Sequence, residues 1–140
     1  MDSLETAKRM LKEGGFSLVI VKAGRLVHAT NKYGVIGLVE AVEKYGGELT
    51  GAAVADKIVG RAAAMLCRYA NVAGVYAEVI SGKGLEALEK KGVRIEYGKL
   101  VPEILNRSRN DVCPFEKLVD DCNNEEECFE KLKSFRKNFP

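Results

Sequence analysis

The chain has 140 residues, 46% of them hydrophobic, and carries 22 Lys+Arg against 20 Asp+Glu for a formal net charge of +2. That length suits one domain with a single core, the apolar fraction excludes a wholly disordered chain, and near-neutral charge gives no electrostatic reason to expect nucleic acid or an acidic membrane as partner. Four cysteines and one histidine leave little material for metal or acid–base chemistry.

The first ten residues, MDSLETAKRM, are charged and lack the apolar run of a secretory signal. Asp2-Ser-Leu-Glu5 reads as a helix N-cap with an acidic third position, and Leu4, Ala7 and Leu11 share one face. Gly14-Gly15 then ends this N-terminal helix, which takes up residues 1–14. Phe16–Lys22 and Arg25–Thr30 are β-branched apolar runs joined by Ala23-Gly24, which predicts a β-hairpin. Val35, Leu38, Val39 and Val42 recur at helical spacing up to Gly46-Gly47.

The next stretch, Thr50–Asp56, is expected to lead into a helix over Lys57–Ala70 with Asp56 at its start. That helix is apolar on nearly all sides apart from Lys57, Arg61 and Arg68, so it belongs in the centre of the protein. Val75–Ile80 reads as a strand, Ser81–Gly84 as a turn into a helix through Lys91, and Val93–Tyr97 as a further strand after Gly92. Strand, helix and strand with short connections signal a parallel crossover. After a polar loop at 106–111, Cys113-Pro-Phe-Glu116 restarts a helix, with Pro114 at its first position and Glu116 at its third. The last helix, about Glu125–Phe139, carries Cys128, Leu132, Phe135 and Phe139 on one stripe, and 112–140 form a C-terminal helical extension. Residues 1–100 hold 15 Lys+Arg and 11 Asp+Glu, and residues 101–140 hold seven and nine, so the body is mildly basic and the extension mildly acidic. No apolar stretch approaches the roughly 20 residues that span a bilayer. The expectation is a single cytoplasmic domain over 1–140 with no membrane segment.

The order hairpin, central helix, strand, helix, strand resembles the cytidine-deaminase-like fold, an α/β three-layer sandwich with a mixed sheet. Ala87-Leu88, Gly92-Val93 and Gly98-Lys-Leu100-Val-Pro-Glu103 stand where zinc deaminases carry comparable motifs. More narrowly, VADKIVGRAAAML with YGKLVPEILNR and CPFEK resembles the family catalogued as domain of unknown function 1893. Zinc deaminases need a His or Cys plus a Glu at the start of the central helix and two Cys at the start of the next. On this alignment the first set reads Val54-Ala55-Asp56 and the Cys pair reads Ser81 and Gly84. The resemblance therefore implies a zinc-less relative, not a zinc-dependent deaminase, with no metal site and no cofactor.

What remains is a pair of converging helix N-termini, whose free N–H groups accept anions. Asp56, Lys57, Ser81 and Lys83 belong to those two starts, Asn106 and Arg107 to the polar loop after the strand layer, and Cys113 to a helix start that suits a reactive thiol. The reading favoured is a protein that binds a nucleotide, an ADP-ribose-like molecule or another phosphorylated small molecule without deaminating it. The alternative is an interaction or regulatory module with a filled pocket, a homodimer among its expectations if the Phe135/Phe139 stripe leaves apolar surface open. An enzyme using Asp56 without zinc is a weaker third option. Asp56 is equally explained as a helix cap, Glu116 as the capping-box partner of the Cys113 backbone, and Cys67 as a buried small hydrophobe. Cys122 and Cys128 either close a small disulfide loop or stay as thiols.

Overall fold

The computed structural model describes residues 2–32 and 34–137. Helix α1 (Ser3–Gly14) starts where predicted: Asp2 accepts from the Leu4 amide at 3.0 Å, and Gly15 closes the helix at φ 70°. Strands β1 (Leu18–Lys22) and β2 (Arg25–Thr30) form the predicted hairpin. Both turn residues have positive φ, 52° at Ala23 and 76° at Gly24. A two-residue turn of this hand matches the twist of the strands, but an alanine there crowds its own carbonyl, at a cost of about 1–2 kcal/mol. Ala23→Asn, which tolerates that conformation, is expected to stabilise the protein by about 0.5–1 kcal/mol, read as a higher urea midpoint at unchanged slope.

Helix α2 (Ile36–Tyr45) and a 3-10 turn (Gly46–Leu49) lead to β3 (Ala53–Val59) and α3 (Arg61–Tyr69). Asp56 does not start the central helix; it lies inside β3, and the helix begins at Arg61 after Gly60. Ala53 through Asp56 are buried together because β3 is the middle strand, flanked on both sides. A central strand covered on both faces reads as one apolar run, and the alanine-rich run hides where it turns helical.

The chain continues through β4 (Gly74–Ser81), α4 (Gly82–Lys91), β5 (Arg94–Val101), α5 (Pro114–Val119) and α6 (Glu125–Lys137). Phe139 lies outside the described residues. The sheet order is β2-β1-β3-β4-β5; β1 is antiparallel to both β2 and β3, while β3, β4 and β5 run parallel. One face is covered by α1, whose Leu4, Ala7 and Leu11 pack on Val19, Val21, Ala53, Ala55 and Tyr76. The other face carries α2, α3 and α4, giving the three layers of an α/β/α sandwich with a mixed sheet. Ala62 through Cys67 of α3 are all buried, as a central helix requires.

Helices α5 and α6 pack on the far side of α3. Phe115 meets Phe135 edge-on at 5.3 Å between ring centroids, Phe129 stacks on Tyr69 at 4.5 Å, and Leu132 is fully buried. Arg68 of α3 pairs with Glu125 at 2.7 Å. Cys122 and Cys128 are joined by a disulfide with their Cα atoms 5.7 Å apart, tying the turn after α5 to the first turn of α6. Among the described residues, no helix is long and apolar enough to cross a membrane.

Candidate functional site

Strand β3 is where pairing switches from antiparallel to parallel. In open α/β sheets, ligand crevices lie outside the carboxyl ends of the parallel strands. Here the α3 start follows β3 and the α4 start follows β4 at that edge, and the segment after β5 folds back over it to reach α5. Between the start of α3, that segment and α5 is a cavity of about 490 Å³. Its walls come from Gly34–Ile36 at the start of α2, Ile58, Gly60, Ala62 and Ala63 of the β3–α3 junction, Ile104–Ser108 of the loop, and Cys113–Glu116 of α5. Ile58 and Leu105 are 44% and 41% exposed, large for aliphatic side chains, and both line this cavity. A smaller cavity of about 250 Å³ lies on the other side of Glu116, among Arg61, Lys83, Glu103 and Asp120.

The start of α3 is capped from a distance. Gly60 stands at the N-cap position and has no side chain to satisfy the first amides. Glu116 of α5 does so instead: its two carboxylate oxygens accept from the Arg61 amide at 2.7 Å and the Ala62 amide at 2.8 Å. A Cβ on residue 60 would overlap that carboxylate, so a larger residue there displaces the Glu116 side chain from the α3 amides. Arg61 completes the junction, its guanidinium donating to the Val119 carbonyl and, at 3.0 Å, to the Cys122 carbonyl. One residue thus holds α5 by its backbone and by its side chain. The start of α4 has a cap of its own: the buried Ser81 hydroxyl accepts from the Gly84 amide at 3.1 Å.

Of the residues singled out in the sequence, Asn106, Arg107 and Cys113 come together in the 490 Å³ cavity. Arg107 is exposed at its rim and Cys113 is half-buried at the N-cap of α5. The other four are elsewhere. Lys83 lines the smaller cavity and is paired with Asp120 at 2.6 Å. Ser81 is used as a cap, and Lys57 is an exposed residue of β3. Asp56 is 8% exposed and accepts from the Ile58 amide at 3.3 Å; burial pushes its carboxyl up to about 7. Two anion-accepting helix starts were expected; at α3 Glu116 takes the first two amides, and at α4 Ser81 takes the Gly84 amide. His28 is partnered with Tyr45, its Nδ1 3.4 Å from the Tyr45 hydroxyl, and is not among the residues lining the cavity with Cys113. The sequence reading missed Glu116 as the cap of α3, and Ile58, Leu105 and Phe115 as walls. Glu116 was noticed only as a local capping residue; nothing local points 55 residues back to Arg61.

A five-stranded mixed sheet with this order of helices, and a cavity at the ends of its parallel strands, defines a protein of deaminase-like fold. The family model for DUF1893, a domain of unknown function, matches residues 6–136, and the chain belongs to that family. It is similar to the DUF1893 family protein TM1506 from Thermotoga maritima, at 29% identity over 94% of this chain and 88% of that one, with a TM-score of 0.86. It also superimposes on RibD from Acinetobacter baumannii with a TM-score of 0.51 and 22% identity, over 69% of this chain and 34% of RibD. For the diaminohydroxyphosphoribosylaminopyrimidine deaminase/5-amino-6-(5-phosphoribosylamino)uracil reductase of Thermotoga maritima, the TM-score is 0.50 at 19% identity, over 69% and 35%. The chain matches about a third of each of these two enzymes, and at such identities the likeness is one of fold. No curated protein sequence matches the chain.

The deaminase resemblance raises the question of zinc, and the residues present do not fit it. The triplet at the start of α3 is Gly60-Arg61-Ala62, not the Val54-Ala55-Asp56 of the sequence alignment, and it places a glycine in the ligand's position and an alanine in the glutamate's, neither with a donor atom in its side chain. The start of α4 offers Ser81, engaged as a cap, and Lys83, a cation. Gly84 also packs directly on the β3–α3 junction: a Cβ there would lie 2.9 Å from the Val59 carbonyl oxygen and 3.0 Å from Gly60. Among the described residues no group of three or more His, Cys, Asp or Glu could hold a metal ion.

Proposed function

We propose that this protein binds a nucleotide-like or other phosphorylated small molecule in the 490 Å³ cavity at the start of α3. The observation that carries this reading is the pairing of exposed aliphatic walls, Ile58 and Leu105, with Arg107 in one cavity, while the Asn106 side chain braces the loop through Asn110. The volume lies in the range of small-molecule sites, about 300–1,000 Å³, and apolar walls with a few polar groups are their usual lining. An arginine at the rim suits a phosphate, which its planar fork binds in bidentate fashion. The phosphate belongs at Arg107 and not at the start of α3, since Glu116 already accepts from the first two amides there. Cys128, Leu132 and Phe135 pack inward on α3 and α5. That favours a small ligand over a partner protein docked on the α6 stripe.

A panel of ADP-ribose and mononucleotides at millimolar concentration is expected to raise the melting temperature by mass action. Arg107→Ala should lower the affinity at least tenfold, whereas Lys57→Ala, which lies outside the cavity, should leave it unchanged. A flat panel overturns the reading.

A further inference from the structure

The Cys122–Cys128 disulfide is buried where the turn after α5, the first turn of α6 and Arg61 of α3 meet. Helix α5 has six residues, too few to hold its shape without outside attachments. In its first turn, the Glu116 carboxylate takes the Arg61 and Ala62 amides. At its other end, the Arg61 guanidinium donates to the Val119 and Cys122 carbonyls, and the disulfide joins Cys122 to α6. The same guanidinium lies 3.5 Å from the Cys122 sulfur, so the chemical state of that sulfur acts directly on Arg61. Helix α6 has supports besides the bond. Asn124 Oδ1 accepts from the Glu127 amide at 2.8 Å, Glu127 accepts from the Asn123 amide at 3.2 Å, Arg68 pairs with Glu125, and Phe129 and Leu132 are buried. The bond spans a sequence separation of only 6, and so short a loop restrains the unfolded chain less than a long one. Breaking it releases the end of α5 and leaves the rest of the fold assembled.

We propose that the Cys122–Cys128 disulfide is a redox switch for the start of α3: a dithiol reduces it, the end of α5 comes away from α6, and the hold of Glu116 on the Arg61 and Ala62 amides loosens. One thiolate of the dithiol attacks the Cys128 sulfur and expels Cys122 as a thiolate. The second thiol then closes on the first, and Cys128 is released. The dithiol becomes a cyclic disulfide, and the protein gains two electrons and two protons. Both cysteines are buried, so the polar segment 123–127 lifts to admit the reductant. Arg61 favours the first step, because a guanidinium beside a sulfur stabilises its thiolate and a stabilised thiolate leaves faster. Reduced Cys122 then draws Arg61 toward a thiolate, or as a thiol donates to the Val119 carbonyl oxygen 3.2 Å from its sulfur. That oxygen has two lone pairs and already accepts from the Cys122 amide and from Arg61, so a third donor displaces one of them. Both forms shift the guanidinium, and with it the α3 turn beside the 490 Å³ cavity. The switch acts with or without a ligand there.

The test follows amide hydrogen exchange by nuclear magnetic resonance on the intact wild-type protein, oxidised and after treatment with dithiothreitol. Alkylation and mass measurement fix the number of free thiols in each sample. The Arg61, Ala62 and Cys122 amides are expected to exchange at least tenfold faster in the reduced protein, while those of β1 change less than twofold. The Cys122→Ser/Cys128→Ser double variant should show the faster rates in both conditions and no response to dithiothreitol. Unchanged rates at Arg61 and Ala62 after full reduction overturn the switch. A uniform rise across the sheet also overturns it, because the bond is then a support of the whole fold. So does a disulfide that dithiothreitol opens only in unfolded protein. The wild-type comparison needs no variant, so poor folding of the double variant does not protect the proposal.

Discussion

Replacing Asp56 by asparagine is expected to abolish a loss of stability that the wild-type protein suffers between about pH 4 and pH 7. Asp56 is buried in the middle strand, its carboxyl pushed from an ordinary 3.8 up to about 7 by burial, against the smaller pull of the Ile58 and Lys57 amides. In the unfolded chain it ionises near its ordinary value. Over the window between the two, the folded protein holds a proton that the unfolded chain has released, so stability falls as pH rises and levels off above about 7. Three pKa units at 1.36 kcal/mol each make the change about 4 kcal/mol, on the order of 10 °C in melting temperature. The surface carboxylates of Asp2, Asp111, Asp120 and Asp121 are held below their ordinary range by Arg94, Lys117, Lys83 and Lys131, and they act in the opposite sense at lower pH. Denaturant midpoints of wild type and Asp56→Asn, measured from pH 4 to pH 8, separate the two effects. Parallel curves would show that Asp56 ionises freely in the folded state.

Gly84→Ala is expected to destabilise the protein by about 1–3 kcal/mol, the range of overpacking in a tight interior. The added methyl would meet the carbonyl oxygen of Val59 at 2.9 Å and the backbone of Gly60 at 3.0 Å. Both neighbours are main chain, so no side chain can swing aside, and Gly60 is itself pressed against the Glu116 carboxylate. Relief requires the starts of α3 and α4 to move apart, which carries the cavity wall with them. Gly82→Ala provides the comparison, since a Cβ there meets nothing within 4 Å. If the two variants unfold at the same urea concentration, the contact between the helix starts is not tight in solution.

The elements legible in the sequence are those whose signals are local. Asp2 caps α1, Gly15 and Gly92 end helices at positive φ, Ser81 caps α4, and Ala23-Gly24 turns the hairpin, each within a few residues of the group it acts on. The β3–α3 boundary was misread for the converse reason. Strand and helix are both buried and both rich in alanine, so neither period shows, and Asp56 resembles a cap only if the partner strands on either side are ignored. The cavity was half legible. Asn106, Arg107 and Cys113 stood out as polar groups beside a strand end, but the walls that make them a site are set by packing across the chain. Glu116 is the plainest case: its backbone amide does bond the Cys113 carbonyl at 3.0 Å, as a local helix start suggests, while its side chain serves a different helix.

That long reach from α5 to α3 also orders events in time. All five strands are complete by Val101, whereas the residue that satisfies the first amides of α3 arrives with Glu116. Chains emerge from the ribosome amino end first, at about 5–20 residues per second. The sheet and its inner helices can therefore assemble around an unfinished α3 start, and the cavity takes its shape only when α5 has been made and Arg61 has closed on it. A nascent chain stalled before α5 would carry the sheet residues and still have no built site for a ligand to hold.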